Sequence, residues 1–429
     1  MRAKTMKMKI KVIQTRLTLL VLVCSSFVFL SEMLFAQEQM EGIYFDDSGV
    51  DIIVGADDYE IAFRKQNGGI VYIKDKATGQ QVSGGSLNGC LWVIVFDYSA
   101  QDYIESCSYA PTSANHFSYT WLANTGQLVM NFDPDPTAPK SVDVIVRMTA
   151  SANNWFDLQI SVTNDWGYVP EDVKFPSDLV FGRADMQEAL LPVLPGVVLK
   201  SGFFNRGLTY EADYPGAMAA DFISVNSTKG HIAMYAIPVS DRITPARFGF
   251  FFQNCTNTTT VCLTHNIKSG VKDGASWSSP LMRIRLNESY FDTVNAFRTD
   301  TNIDAFASIE DKLGGLYQQV IRSPLYKADL GGIPFNDVPN RLATEIPYPG
   351  ILHLVAYWQR GFDENYPDFL PPDPNLGTPA EMVAMMQASQ NMGYLMMPYI
   401  NPTWWDDESP TIQDDLPPLS IEDIAVLDK

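Results

Sequence analysis

Two stretches of the sequence set aromatic rings beside carboxylates and amides. "YWQRGFDENY" carries Tyr357, Trp358 and Asp363, and "YINPTWWDDE" carries Tyr399, Asn401, Trp404, Trp405 and Asp406. Indole and phenol rings offer flat apolar faces that stack on the C–H faces of a pyranose. Asp and Asn accept from and donate to its hydroxyls. The same residues also build ordinary interiors. Trp358 and Tyr399 read as packing residues, and Asp406 as a solvated loop carboxylate, unless the surrounding elements turn them toward a ligand.

Those elements are legible. "GILHLVAYWQ" is a run of apolar β-formers, the pattern of a buried parallel strand. A polar loop over 360–377 holds four prolines. "TPAEMVAMMQASQNMG" then has Thr378 as N-cap, Pro379 at the first helical position and Glu381 completing a capping box. Met382, Val383, Met385, Met386 and Met392 give it a wide apolar face, and Gly393 stops it. "YLMMPYIN" is a second buried strand, so 350–401 reads as one parallel βαβ unit.

Upstream, 42–288 is strand after strand. Runs such as "CLWVIVFDY", "SVDVIVRMTAS", "WFDLQISVTN", "VVLKSGFF" and "HIAMYAIP" are cut by turn signals such as "QNGG" and "KATG". Strands at this spacing predict antiparallel sheets packed face to face, in a sandwich larger than an immunoglobulin domain. Near Asn302 the pattern changes. Phe306, Ile309, Leu313, Leu316, Tyr317 and Val320 recur at helical spacing, which predicts a helix packed between domains and weakened at Gly314 and Gly315. A Pro/Gly-rich connector follows to Gly350.

The first 36 residues read as a secretion signal. Six basic residues precede an apolar core, Leu17 to Leu30, with cleavage after Ala36. A lipoprotein anchored through Cys24 is the weaker alternative, because Val23 stands where a small residue is expected. The core is too short for a bilayer span. Cleavage takes the formal charge from −20 to about −25, a surface that repels nucleic-acid phosphates. Cys90, Cys107, Cys255 and Cys262 remain, without zinc-ligand spacing. A cross-strand Cys255–Cys262 bridge and a Cys90–Cys107 bridge are both open, as are free thiols.

Catalytic motifs are missing: no H-E-x-x-H, G-x-S-x-G, P-loop or G-x-G-x-x-G. "DPDP" from Asp133 and "DDE" from Asp406 lack EF-hand spacing, so no metal or cofactor is expected. Asn254, Asn257 and Asn287 lie in N-x-S/T sequons. None of the four histidines, His116, His231, His265 and His353, stands in an acid–base motif, and His231 reads as structural.

Two segments carry a family resemblance. "YEIAFRKQNGGIVYIKDKATGQQV", with its I-x-D-x-x-T/S-G turn, resembles the supersandwich that precedes the barrel in several secreted glycosidases and is related to the galactose mutarotase sandwich. "YWQRGFDENYPDFLPP", a helix and "GYLMMPYINPTWWDD" resemble the first β/α repeat of a secreted bacterial glycoside-hydrolase-type barrel, akin to α-galactosidases and endo-α-N-acetylgalactosaminidases. The resemblance implies a mainly β fold: a large antiparallel β-supersandwich (37–300), a helical linker (301–349) and the first β/α repeat of an incomplete TIM-type barrel (350–429).

In such barrels function gathers at the carboxyl ends of the strands. That places Tyr357, Trp358 and Asp363 after one strand and Tyr399, Asn401, Trp404, Trp405 and Asp406 after the next, as sugar contacts. The catalytic residues remain unknown: the resemblance puts the two carboxylates on later strands, and an eight-stranded barrel takes roughly 250 residues. The expectation is therefore the N-terminal portion of a secreted or periplasmic glycoside hydrolase acting on a polysaccharide or glycan. By itself this chain is expected to be inactive, either truncated or completed by a separately encoded remainder of the barrel. The other reading is a non-catalytic carbohydrate-binding β-sandwich. Under either, the partner is a carbohydrate, with no membrane association once the signal is cleaved.

Overall fold

A computed structural model describes residues 40–414, apart from 86–88, 195, 240–242, 253–257, 347, 363 and 402–404. The chain divides into two units, one ending at Ile303 and one beginning at Asp304. No helix among the described residues is long and apolar enough to cross a membrane.

The first unit is two large antiparallel sheets, of 12 and 10 strands among the described residues. Period-two burial decides which side chains face inward. Along Ser141–Ala150 the buried residues are Val142, Val144, Val146, Met148 and Ala150, paired in register with Trp155–Asp165. Their partners in the core come from the other sheet. Tyr59 packs on Phe156 with ring centroids 5.3 Å apart, and its hydroxyl donates to the Ser151 carbonyl at 3.1 Å. Trp92 meets Phe132 edge-on at 5.3 Å. Face-to-face sheets are what the alternating pattern predicts.

The turn within I-x-D-x-x-T-G has a clear physical basis. Asp75 is fully buried and accepts from the Ala77 amide and the Thr78 hydroxyl, both at 2.8 Å, while Gly79 takes a left-handed φ of 69°. A disulfide joins Cys90 and Cys107, whose Cα atoms are 4.9 Å apart. The alternative bridge involves Cys255, which lies outside the described residues.

Two local expectations are corrected. "VVLKSGFF" is a strand only over Val197–Lys200; Ser201–Arg206 is a helix closed by Gly207 at φ 67°. The β reading failed because one helical turn is too short to show a 3.6-residue period. The helical segment read from Phe306 to Val320 breaks at Gly314, φ 51°, where its glycines predict, into Ile309–Leu313, a 3₁₀ turn and Tyr317–Val320. Phe306 is 74 % and Ile309 63 % exposed. The connector is not merely a connector. It contains a strand, Leu325–Asp329, and a helix, Val338–Glu345. That strand escaped notice because its side chains alternate between exposed and half-buried, as an edge strand's do.

The second unit is consequently a three-stranded parallel sheet. Leu325–Asp329 pairs with Ile351–Val355, which pairs with Leu395–Pro398. The Val338–Glu345 helix joins the first pair and Pro379–Asn391 the second. The latter helix begins on a full capping box between Thr378 and Glu381, with Pro379 in its first turn. Its buried face is narrower than the methionine pattern predicts: Met382 and Met385 are buried, whereas Val383 is exposed. Leu352, Leu354, Phe335, Leu342 and Tyr394 complete a core separate from that of the sandwich.

Candidate functional site

The carboxyl ends of the second and third parallel strands lead into loops that share one layer of aromatic rings. The strand Ile351–Val355 is followed by Ala356 in the left-handed region, φ 56°, so the chain turns abruptly. Trp358 follows and is fully buried. It stacks on Tyr399 at 5.7 Å and 18°, meets Phe369 edge-on at 5.4 Å, and donates its indole N–H to the Glu364 carbonyl at 2.9 Å. Tyr357 is also buried and donates to the Tyr399 carbonyl at 3.1 Å. Burial raises its phenol pKa, so it stays a neutral donor. These rings tie together the loops after two neighbouring strands.

Asp406 serves the same end. Its carboxylate accepts from the Asn365 amide at 2.6 Å, the Glu408 amide at 3.0 Å and the Arg360 guanidinium at 3.2 Å. Partial burial alone would raise its pKa, but the two amides and the guanidinium outweigh that and hold it below the usual carboxylate range. Arg360 also reaches Glu364 at 2.8 Å and Glu408 at 2.9 Å. Among the remaining sequence-predicted residues, Asn401 is half-buried and Trp405 is 49 % exposed. Asp363 and Trp404 lie outside the described residues.

A cavity of about 370 Å³ opens beside this layer. Gly331 and Gly332 after the first strand and Ala356 after the second help line it. Its polar groups are Gln359, Arg360, Asp373 and Asn375. The Asp373 amide donates to the Tyr357 carbonyl at 3.0 Å and its carboxylate accepts from the Asn375 amide at 2.8 Å, which fixes the loop. Amide, carboxylate and guanidinium groups beside paired glycines suit a polyhydroxylated ligand. The aromatic-and-acid pattern predicted from sequence thus shares only the loop around Arg360 with the cavity. The paired glycines were missed because the strand that places them was itself missed; Gln359, Asp373 and Asn375 were missed although the loop after Ile351–Val355 was legible. "DLGG" directly after an alternating segment was the available signal.

No protein-family model matches the sequence, and no curated protein matches it. Solved structures do. The α-N-acetylgalactosaminidase NagBb from Bifidobacterium bifidum, in its GalNAc complex, aligns with a TM-score of 0.56 at 13 % identity, covering 85 % of this chain and 58 % of that one. Its ligand-free form aligns at 0.55 and 12 % identity, covering 85 % and 59 %. A galactose mutarotase related enzyme from Lactobacillus acidophilus covers 56 % of this chain and 98 % of its own, at 11 % identity and a TM-score of 0.38. The chain spans less than two thirds of the NagBb structures, and what it shares with them is the fold: large antiparallel sheets followed by helical elements.

Proposed function

We propose that this chain is the N-terminal portion of a secreted glycoside hydrolase, and that the cavity at the strand ends is part of its sugar site. The observation that carries the reading is the position of that cavity. It lies at the carboxyl ends of adjacent parallel strands, where α/β barrels keep their ligands. The fold shared with an N-acetylgalactosaminidase over most of the chain supports a carbohydrate substrate. The Cys90–Cys107 disulfide supports an oxidising compartment, in line with the signal-like N-terminus. The catalytic carboxylates belong, on this reading, to later strands of a TIM-type barrel supplied from outside these 429 residues.

Calorimetric titration of the purified chain with N-acetylgalactosamine tests the reading. Binding in the millimolar range is expected, weakened at least fivefold by Asn375→Ala, together with no turnover of aryl α- or β-glycosides. Hydrolysis by this chain alone would refute the assignment of the catalytic pair to other strands. Unchanged binding in Asn375→Ala would refute the cavity as the sugar site.

A further inference from the structure

A second polar site lies wholly within the sandwich. The strands Gln80–Gly85 and Leu179–Gly182 pair at only two positions, Leu179 with Gly85 and Val180 with Gly84. The pairing does not continue to Ser83 and Phe181, and residues of the hairpin turn at 227–230 line the same hollow as these two. Gly230, φ 136°, sits so close that a Cβ there would meet Val82 at 3.1 Å. Two adjoining hollows result, of about 410 and 250 Å³, sharing Asp185, Ser227 and Lys229 in their walls.

Thr78, Gln80, Ser83 and Thr228 give the lining hydrogen-bonding groups, beside the apolar Val82, Val180 and Phe181 of the smaller hollow. Asp185 is oriented by the Thr228 hydroxyl at 2.8 Å, while the Thr228 amide donates to its carbonyl at 2.8 Å. Lys229 is different. It is partly buried, yet among the described residues its ammonium has no hydrogen bond or ion pair. An ammonium without a partner gains from an anion. In a chain of net charge −20 such a cation facing a polar hollow is a selective feature rather than part of a general basic surface.

We propose that these hollows bind an acidic sugar, its carboxylate on Lys229 and its hydroxyls on Asp185, Gln80 and the serine and threonine side chains. The site is independent of the strand-end cavity, so either can fail alone. The test is titration of the full chain with sodium D-galacturonate, with D-galactose as neutral comparator. Expected are millimolar affinity for galacturonate, at least fivefold weaker affinity for galactose, at least fivefold loss in Lys229→Gln, recovery in Lys229→Arg, and no change in Asn375→Ala. No uptake of galacturonate, equal affinity for galactose, an unaffected Lys229→Gln variant, or loss in Asn375→Ala instead would each overturn the proposal.

Discussion

The Arg360 guanidinium donates to the Asp406 carboxylate across 3.2 Å, joining the loop after the central parallel strand to the segment after the third. A residue chosen from sequence as a ligand contact is thereby a clamp between loops. Asp406→Ala leaves the Asn365 and Glu408 amides without their acceptor, which costs about 1–3 kcal/mol for hydrogen bonds to a charge. Chemical denaturation should show that loss. A variant as stable as the parent would return Asp406 to the solvated-loop reading.

Trp358 and Trp405 should separate packing from recognition. Trp358 is fully buried in an aromatic layer, so Trp358→Ala should cost about 3–5 kcal/mol or abolish folding of the second unit. Trp405 is half exposed, so Trp405→Ala should change stability by under about 0.5 kcal/mol. If Trp405 contacts sugar, the same variant weakens N-acetylgalactosamine binding at least threefold; unchanged affinity assigns it to the surface.

The helix Tyr290–Asp300 is fastened to the sandwich by a charged network. Arg283 makes two bonds to Asp157, at 2.8 and 2.9 Å, and an ion pair with Asp300 at 2.8 Å, and lies over the Trp155 ring at 3.6 Å. Tyr235 donates to Asp300 at 2.6 Å and packs on Phe297. Asp157→Ala removes two hydrogen bonds from a guanidinium that keeps its pair with Asp300, and should cost about 1.5–3 kcal/mol. Asp300→Ala should instead raise amide exchange selectively in the helix. Uniform exchange rates across the sandwich and helix would contradict this role.

Two buried groups should give opposing pH dependence. Burial pushes the Asp178 carboxyl up to about 6 against the pull of Lys174, so this group's contribution to stability falls as pH rises from 3.8 to 6. Burial pushes the His231 imidazole down to about 4 although Glu288 opposes it, so its contribution rises with pH between 4 and 6.5. The two nearly cancel in the parent. Asp178→Asn should make stability climb with pH over this window relative to the parent, and His231→Gln should make it decline, each by about 3 kcal/mol. Unfolding free energies measured at several pH values from 4 to 7 decide it; parallel profiles for all three proteins would remove both assignments.

Reduction offers a simpler check on the first unit. The Cys90–Cys107 bridge closes a loop with a sequence separation of 17, worth about 3 kcal/mol in the unfolded-chain entropy model. Dithiothreitol should lower the denaturation midpoint accordingly. An unchanged midpoint would mean that the surrounding sheet, not the bridge, holds Cys90 in place.

The sequence by itself determined the features that depend on neighbours along the chain. Period-two burial in Ser141–Ala150 announced a sheet face, the Asp75 to Gly79 turn followed from its own residue types, and Thr378, Pro379 and Glu381 marked a helix start that the structure reproduces. What needed the tertiary structure was anything decided by distant partners. Leu325–Asp329 is a strand because Ile351–Val355 pairs with it, not because its own side chains are apolar. Trp358 and Trp405 are the same residue type in similar contexts, yet one is core and the other surface, since only one is covered by the rings of Tyr399, Tyr366 and Phe369. The strand-end cavity brings Gly331 together with Gln359 and Asn375 from two separate loops. Residue type states what a group is able to do; burial and the partners that fold against it decide whether it is free to do it.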